Sequence, residues 1–93
     1  MSDPQIITYT EGREGYVVYK DSIGLLKFYF EFGGGDCVAV VQVPAAENWE
    51  SVTSRSLHTR SSLLEYLANE LARTEMKNGS WVMREHCIEF YSK

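Results

Sequence analysis

The segment Leu25–Phe32 constrains the fold most. Leu26, Phe28, Phe30 and Phe32 share one parity, and Leu25, Lys27, Tyr29 and Glu31 share the other. Successive side chains of a strand point to opposite faces, so this pattern predicts a strand with one buried side and one largely wet side.

The flanking segments read in the same way. Gln5–Thr10 and Tyr16–Lys20 are β-rich and are joined by Glu11-Gly12-Arg13-Glu14-Gly15, which predicts a hairpin. Asp21-Ser22-Ile23-Gly24 is the next turn signal. Gly33-Gly34-Gly35-Asp36 supplies a second hairpin loop, because glycine accepts the positive φ such loops need. Cys37–Val43 is apolar except at Gln42 and reads as a central strand. Pro44 ends it, and Ala45–Glu50 can form a short helix with Pro44 near its first position. Residues 51–62, rich in Ser, Thr and Arg, contain an entry loop. The main helix is expected over about Thr59–Lys77, where Leu63, Leu64, Leu67, Ala68, Leu71 and Ala72 follow helical spacing. Ser62 and Glu65 fit a capping box that would start it there, and an earlier start near Leu57 is the other option. Asn78-Gly79 stops the helix, with Lys77 placed for its dipole. The tail alternates again. Trp81 and Met83 share one face. Cys87, Glu89 and Tyr91 then oppose Ile88 and Phe90. Arg84-Glu85-His86 breaks the pattern, giving two short strands with a turn, or else one long strand.

The order is β-β-β-β-α-β-β. Short turns between consecutive strands favour an antiparallel sheet, and one amphipathic helix can cover one face of it. The expected fold is therefore a two-layer α+β domain spanning residues 1–93. Its expected core is Ile7, Val17, Phe28, Phe30, Val40, Leu64, Leu67, Leu71 and Ile88.

Composition narrows function more than it names it. The 93 residues carry a net charge of −4. Residues 1–46 hold three basic and six acidic side chains, and the remainder six and seven. A dedicated nucleic-acid binder needs a basic face, so no nucleic acid is expected, and basic partners fit better than acidic ones. No apolar run approaches a membrane span and the first residues lack signal-peptide character, so a cytoplasmic protein without membrane contact is expected. Two cysteines, Cys37 and Cys87, are too few for a disulfide scaffold and read as buried reduced thiols.

The residues bear on several chemistries. Metal spacing is absent: there is no HExxH or CxxC, and in a strand Glu85, His86 and Cys87 would point to alternate faces. No metal and no cofactor are expected. Cys37 or Cys87 with His58 or His86 could furnish a nucleophile and base for a small enzyme, but nothing marks either thiol as activated. The glycine run lacks the Gly-Lys-Ser/Thr ending of a phosphate loop. Glu11/Glu14 and Glu47/Glu50 read as solvated pairs. Trp49 reads as a plug at one end of the core. The stretch Thr53–Ser62 is the better anion candidate. Arg55, His58, Arg60, Ser61 and Ser62, with the helix start, could hold a phosphate or carboxylate. The structural alternative is that Ser and Thr cap the helix while the arginines pair with Glu47 and Glu50.

Twelve aromatic residues are many for this length. A single helix leaves one sheet face open, and Tyr9 or Tyr16, Tyr19, Tyr29 and Trp81 or Tyr91 are the aromatic candidates for it. Such a patch marks a partner surface. The sequence thus predicts a non-catalytic protein-interaction module that binds itself or another protein. Size and charge suit an inhibitor or immunity-type role. A small-anion binder is the second reading, and a Cys/His enzyme the third.

Overall fold

The computed structural model describes residues 4–76 and 79–92. Strands β1 (Gln5–Glu11), β2 (Glu14–Lys20), β3 (Leu25–Phe32) and β4 (Cys37–Gln42) form an antiparallel meander. Helix α1 (Ala46–Thr53) and a single 3-10 turn (Leu57–Thr59) lead into α2 (Arg60–Thr74). The chain then runs to the far edge as β5 (Ser80–Met83) and returns by a hairpin as β6 (Cys87–Tyr91). The sheet order is β1-β2-β3-β4-β6-β5, with every neighbouring pair antiparallel.

The first hairpin is tighter than the sequence suggests. Glu11 pairs with Glu14, so only Gly12 and Arg13 form the loop, with Gly12 at φ +65°. A two-residue loop with positive φ at its first central position favours glycine there. Gly15 is required for a different reason. It lies opposite Phe30, and a Cβ there would collide with the Tyr9 backbone oxygen and come 2.9 Å from the Phe30 ring. Gly15→Ala should therefore cost about 1–3 kcal/mol, as overpacking does. Thermal unfolding checks this, and an unchanged midpoint would show that the hairpin absorbs the methyl group.

Both helices lie on one side of the sheet. The α2 stripe of Leu63, Leu64, Leu67, Ala68, Leu71 and Ala72 is buried against Val17, Tyr19, Phe28, Phe30, Val41, Ile88 and Phe90. Ala39 is fully buried between Phe32 on one neighbouring strand and Phe90 on the other. Trp49 from α1 is also fully buried, and its indole N–H donates to the Ser56 carbonyl at 3.2 Å. It closes one end of this layer, as expected.

Two expected core residues face the other way. Ile7 shares the parity of Tyr9 and is 42% exposed, while Ile6 packs toward the helices. In β4, Ala39 and Val41 turn inward and Val40 turns outward, opposite Glu31 and Glu89. An apolar run has no internal parity signal, so only pairing with alternating neighbours fixes its phase. The start of α2 also differs from the capping box. Ser62 lies inside the helix, and its hydroxyl donates to the Thr59 carbonyl at 3.4 Å. The 3-10 turn feeds directly into α2 at Arg60, with Thr59 already helical and no side-chain cap. The α-helix ends at Thr74, short of the expected Lys77; Lys77 and Asn78 lie outside the described residues, and Gly79 of the expected stop donates its amide to the Met76 carbonyl at 3.0 Å. Among the described residues, no helix is long and apolar enough to cross a membrane.

Candidate functional site

The candidate anion residues are engaged with the protein itself. The Arg55 side chain is only 5% exposed and grips both carboxylate oxygens of Asp21, at 2.8 and 2.9 Å. Its guanidinium carbon lies 5.6 Å from the centre of the Tyr19 ring. This bidentate bond is the main reason the Asp21 carboxyl is held well below the usual carboxylate range. Burial opposes that effect, and the Gly24 and Ile23 amides reinforce it. Arg60 donates to the Pro44 carbonyl at 3.0 and 3.1 Å and to the Glu85 carbonyl at 3.0 Å. It ties the start of α2 to the loop before α1 and to the β5–β6 turn. Neither arginine pairs with Glu47 or Glu50; Glu50 instead accepts the Leu57 amide at 2.9 Å. His58 shares a 2.7 Å hydrogen bond with the Ser56 hydroxyl, and Ser61 is exposed. An anion here would have to displace carbonyls and a carboxylate already bound to both arginines.

The two thiols lie on neighbouring strands, Cys37 at the start of β4 and Cys87 at the start of β6. Cys37 and Cys87 are half-buried, and the Cys37 thiol donates to the Ala39 carbonyl at 3.7 Å. Burial pushes the Cys87 thiol up, with Glu89 adding to the shift. A nucleophilic cysteine needs the opposite environment. Among the described residues, no three His, Cys, Asp or Glu side chains are grouped to hold a metal ion.

The face opposite the helices has a different character. Strand register places its side chains in rows across the sheet. Tyr9 pairs with Tyr16 and Tyr16 with Tyr29, giving three tyrosines in line. Their rings interact: Tyr9 and Tyr16 stack with centroids 4.9 Å apart, and Tyr29 meets Tyr16 edge-on at 6.4 Å. Lys27, exposed in the neighbouring row, holds its ammonium 4.1 Å from the Tyr16 ring centre and 5.4 Å from that of Tyr29. Tyr9 is 46% exposed and Tyr29 61%. On the other side of the tyrosines runs a second row, Glu11, Glu14 and Glu31, again directly paired strand to strand. These two rows line a shallow concavity of about 650 Å³.

Of the five aromatics expected on the open face, Tyr9, Tyr29 and Tyr91 lie there. Tyr91 is half-buried, and its hydroxyl donates to Glu89 at 2.9 Å. Tyr19 and Trp81 belong to the helix side. Tyr19 has the parity of Val17 and is 6% exposed against Tyr66, whose ring it meets edge-on at 6.4 Å. Trp81 pairs with buried Phe90 and donates its indole N–H to Asn69 of α2 at 3.0 Å. Sequence reasoning left Tyr16 as an alternative and missed Glu31 and Lys27 as members of the site. Lys27 and Glu31 share the parity of Tyr29, which was a usable signal. The glutamate row was hidden because Glu11 and Glu14 read as loop residues.

No family model, curated protein or solved structure matches the chain.

Proposed function

We propose that this protein is a non-catalytic interaction module that binds a protein partner through the open face of its sheet. One observation carries the reading: among the described residues, a six-stranded sheet is covered by helices on one side only, while the other displays the Tyr9–Tyr16–Tyr29 row. Ile7, Leu25 and Val82 are exposed with it. Exposed aromatic and aliphatic side chains gathered on a rigid sheet are what a contact surface needs. Tyrosine contributes large area at small entropic cost, and its hydroxyl tolerates water when the partner is absent.

Site-specific photo-crosslinking in cells tests the reading. A photoreactive phenylalanine in place of Tyr29 should give a discrete protein adduct. The same group in place of Glu65, exposed on α2, should not. Tyr9→Ser should deplete the adduct at position 29 while the purified variant melts within about 1 kcal/mol of the parent, as exposed positions do. Equal adducts from both faces, or none from position 29, would count against the open face.

A further inference from the structure

The two rows on the open face also specify the chemistry of the partner, and this inference rests on the open-face reading above. Glu11 faces Glu14 and Glu14 faces Glu31 directly across the strands. Like charges in directly opposed cross-strand positions destabilise a sheet. Among the described residues none of these three carboxylates forms an ion pair, whereas Glu70 and Glu89 each hold an arginine. The row therefore presents uncompensated negative charge along one wall of the concavity. The tyrosines form the adjoining wall, two residues along each strand, or about 7 Å away. That wall already takes a cation from within the molecule, since the Lys27 ammonium sits over Tyr16 and Tyr29.

We infer that the open face docks an arginine-containing, basic segment of a protein partner. A guanidinium is planar and weakly hydrated. It can stack on a tyrosine ring while its N–H groups meet a carboxylate in the next row, and an ammonium cannot do both as well. A chain of net charge −4 attracts such a segment at long range, and the glutamate row fixes where it lands.

A fluorescently labelled peptide of alternating arginine and serine is the probe, with glutamate–serine and glutamine–serine peptides of equal length beside it. Titrations at low salt are read by anisotropy, and amide chemical shifts map the contact. The arginine peptide should bind and shift the amides of Tyr9, Tyr16, Tyr29, Glu14 and Glu31; the two others should not bind. Glu14→Gln with Glu31→Gln should weaken binding at least tenfold while leaving the melt unchanged or raised, because two repulsive pairs disappear. Lys27→Gln should tighten binding by removing the resident cation. No binding, shifts centred on Glu47, Glu50 or Glu65, or an unaffected Glu14/Glu31 variant would each overturn the inference. Spermidine competing as tightly as the peptide would also overturn it, assigning the site to a small polyamine. Crosslinks from position 29 without arginine-peptide binding would leave the interaction module standing and remove only this partner chemistry.

Discussion

Trp49→Ala should destabilise the protein by about 3–5 kcal/mol, the usual cost of removing a fully buried large aromatic. The indole is entirely shielded from solvent, so truncation leaves a cavity and removes the bond to the Ser56 carbonyl, which keeps the Thr59 amide and hydroxyl as donors. Domains of this size are stable by roughly 5–14 kcal/mol, so the loss is a large share of the total. Each kcal/mol moves the midpoint by about 4–8 °C in a domain under 100 residues, so a fall of roughly 12 °C or more is expected in a thermal scan. Trp49→Phe should fall in between, since it keeps most of the volume and loses the hydrogen bond. A fall of only a few degrees in the alanine variant would mean that α1 does not hold the end of the core.

The Asp21–Arg55 pair should give the second-largest effect, with an asymmetry that identifies its cause. Asp21→Asn leaves a guanidinium 5% exposed without its counter-charge. Breaking a buried pair costs about 3–5 kcal/mol, and the partial exposure of Asp21 brings the expectation to about 2–4 kcal/mol. Arg55→Met should cost less. The remaining carboxylate is nearer solvent and still accepts the Ile23 and Gly24 amides. The pair links the β2–β3 turn to the loop between α1 and α2, 34 residues away in sequence. It therefore holds the helical layer to one end of the sheet.

The same pair makes a signed prediction for pH. The folded Asp21 carboxyl lies below its unfolded value, because Arg55 bonds the charged form. Such a group contributes its stability in full above the unfolded pKa and loses it as pH falls toward the folded one. The difference in midpoint between parent and Asp21→Asn should thus be flat from neutral pH to about pH 5 and shrink below about pH 4, where an unfolded aspartate titrates. A gap that persists undiminished into strong acid would mean that packing, not charge, separates the two proteins.

Much of the fold was legible in the residues. The Leu25–Phe32 alternation, the leucine stripe of α2 and the Asp21–Gly24 and Gly33–Asp36 turns all lie where their patterns placed them. Each is a local signal: a side chain every second or every third-to-fourth position, or a residue suited to a turn. The break at Arg84–His86 likewise separates two strands rather than interrupting one. The site was legible only in part. Parity already tied Tyr19 to Val17 and Ile7 to Tyr9, so those assignments were recoverable from the chain. Trp81 was not, because a four-residue strand has too few positions to fix its phase.

What the sequence determined by itself is the list of elements, the two-layer class and the existence of one uncovered sheet face. Those follow from periodicity and from having too few helices to cover both sides. Tertiary structure alone decided that β6 slots between β4 and β5, that Arg55 finds Asp21 rather than Glu50, and that Val40 turns outward. It also decided that the tyrosines and glutamates form ordered rows. Each depends on which strand lies beside which and in what register. Pairing partners distant in the chain are chosen by the summed burial of the whole sheet, which no local pattern encodes.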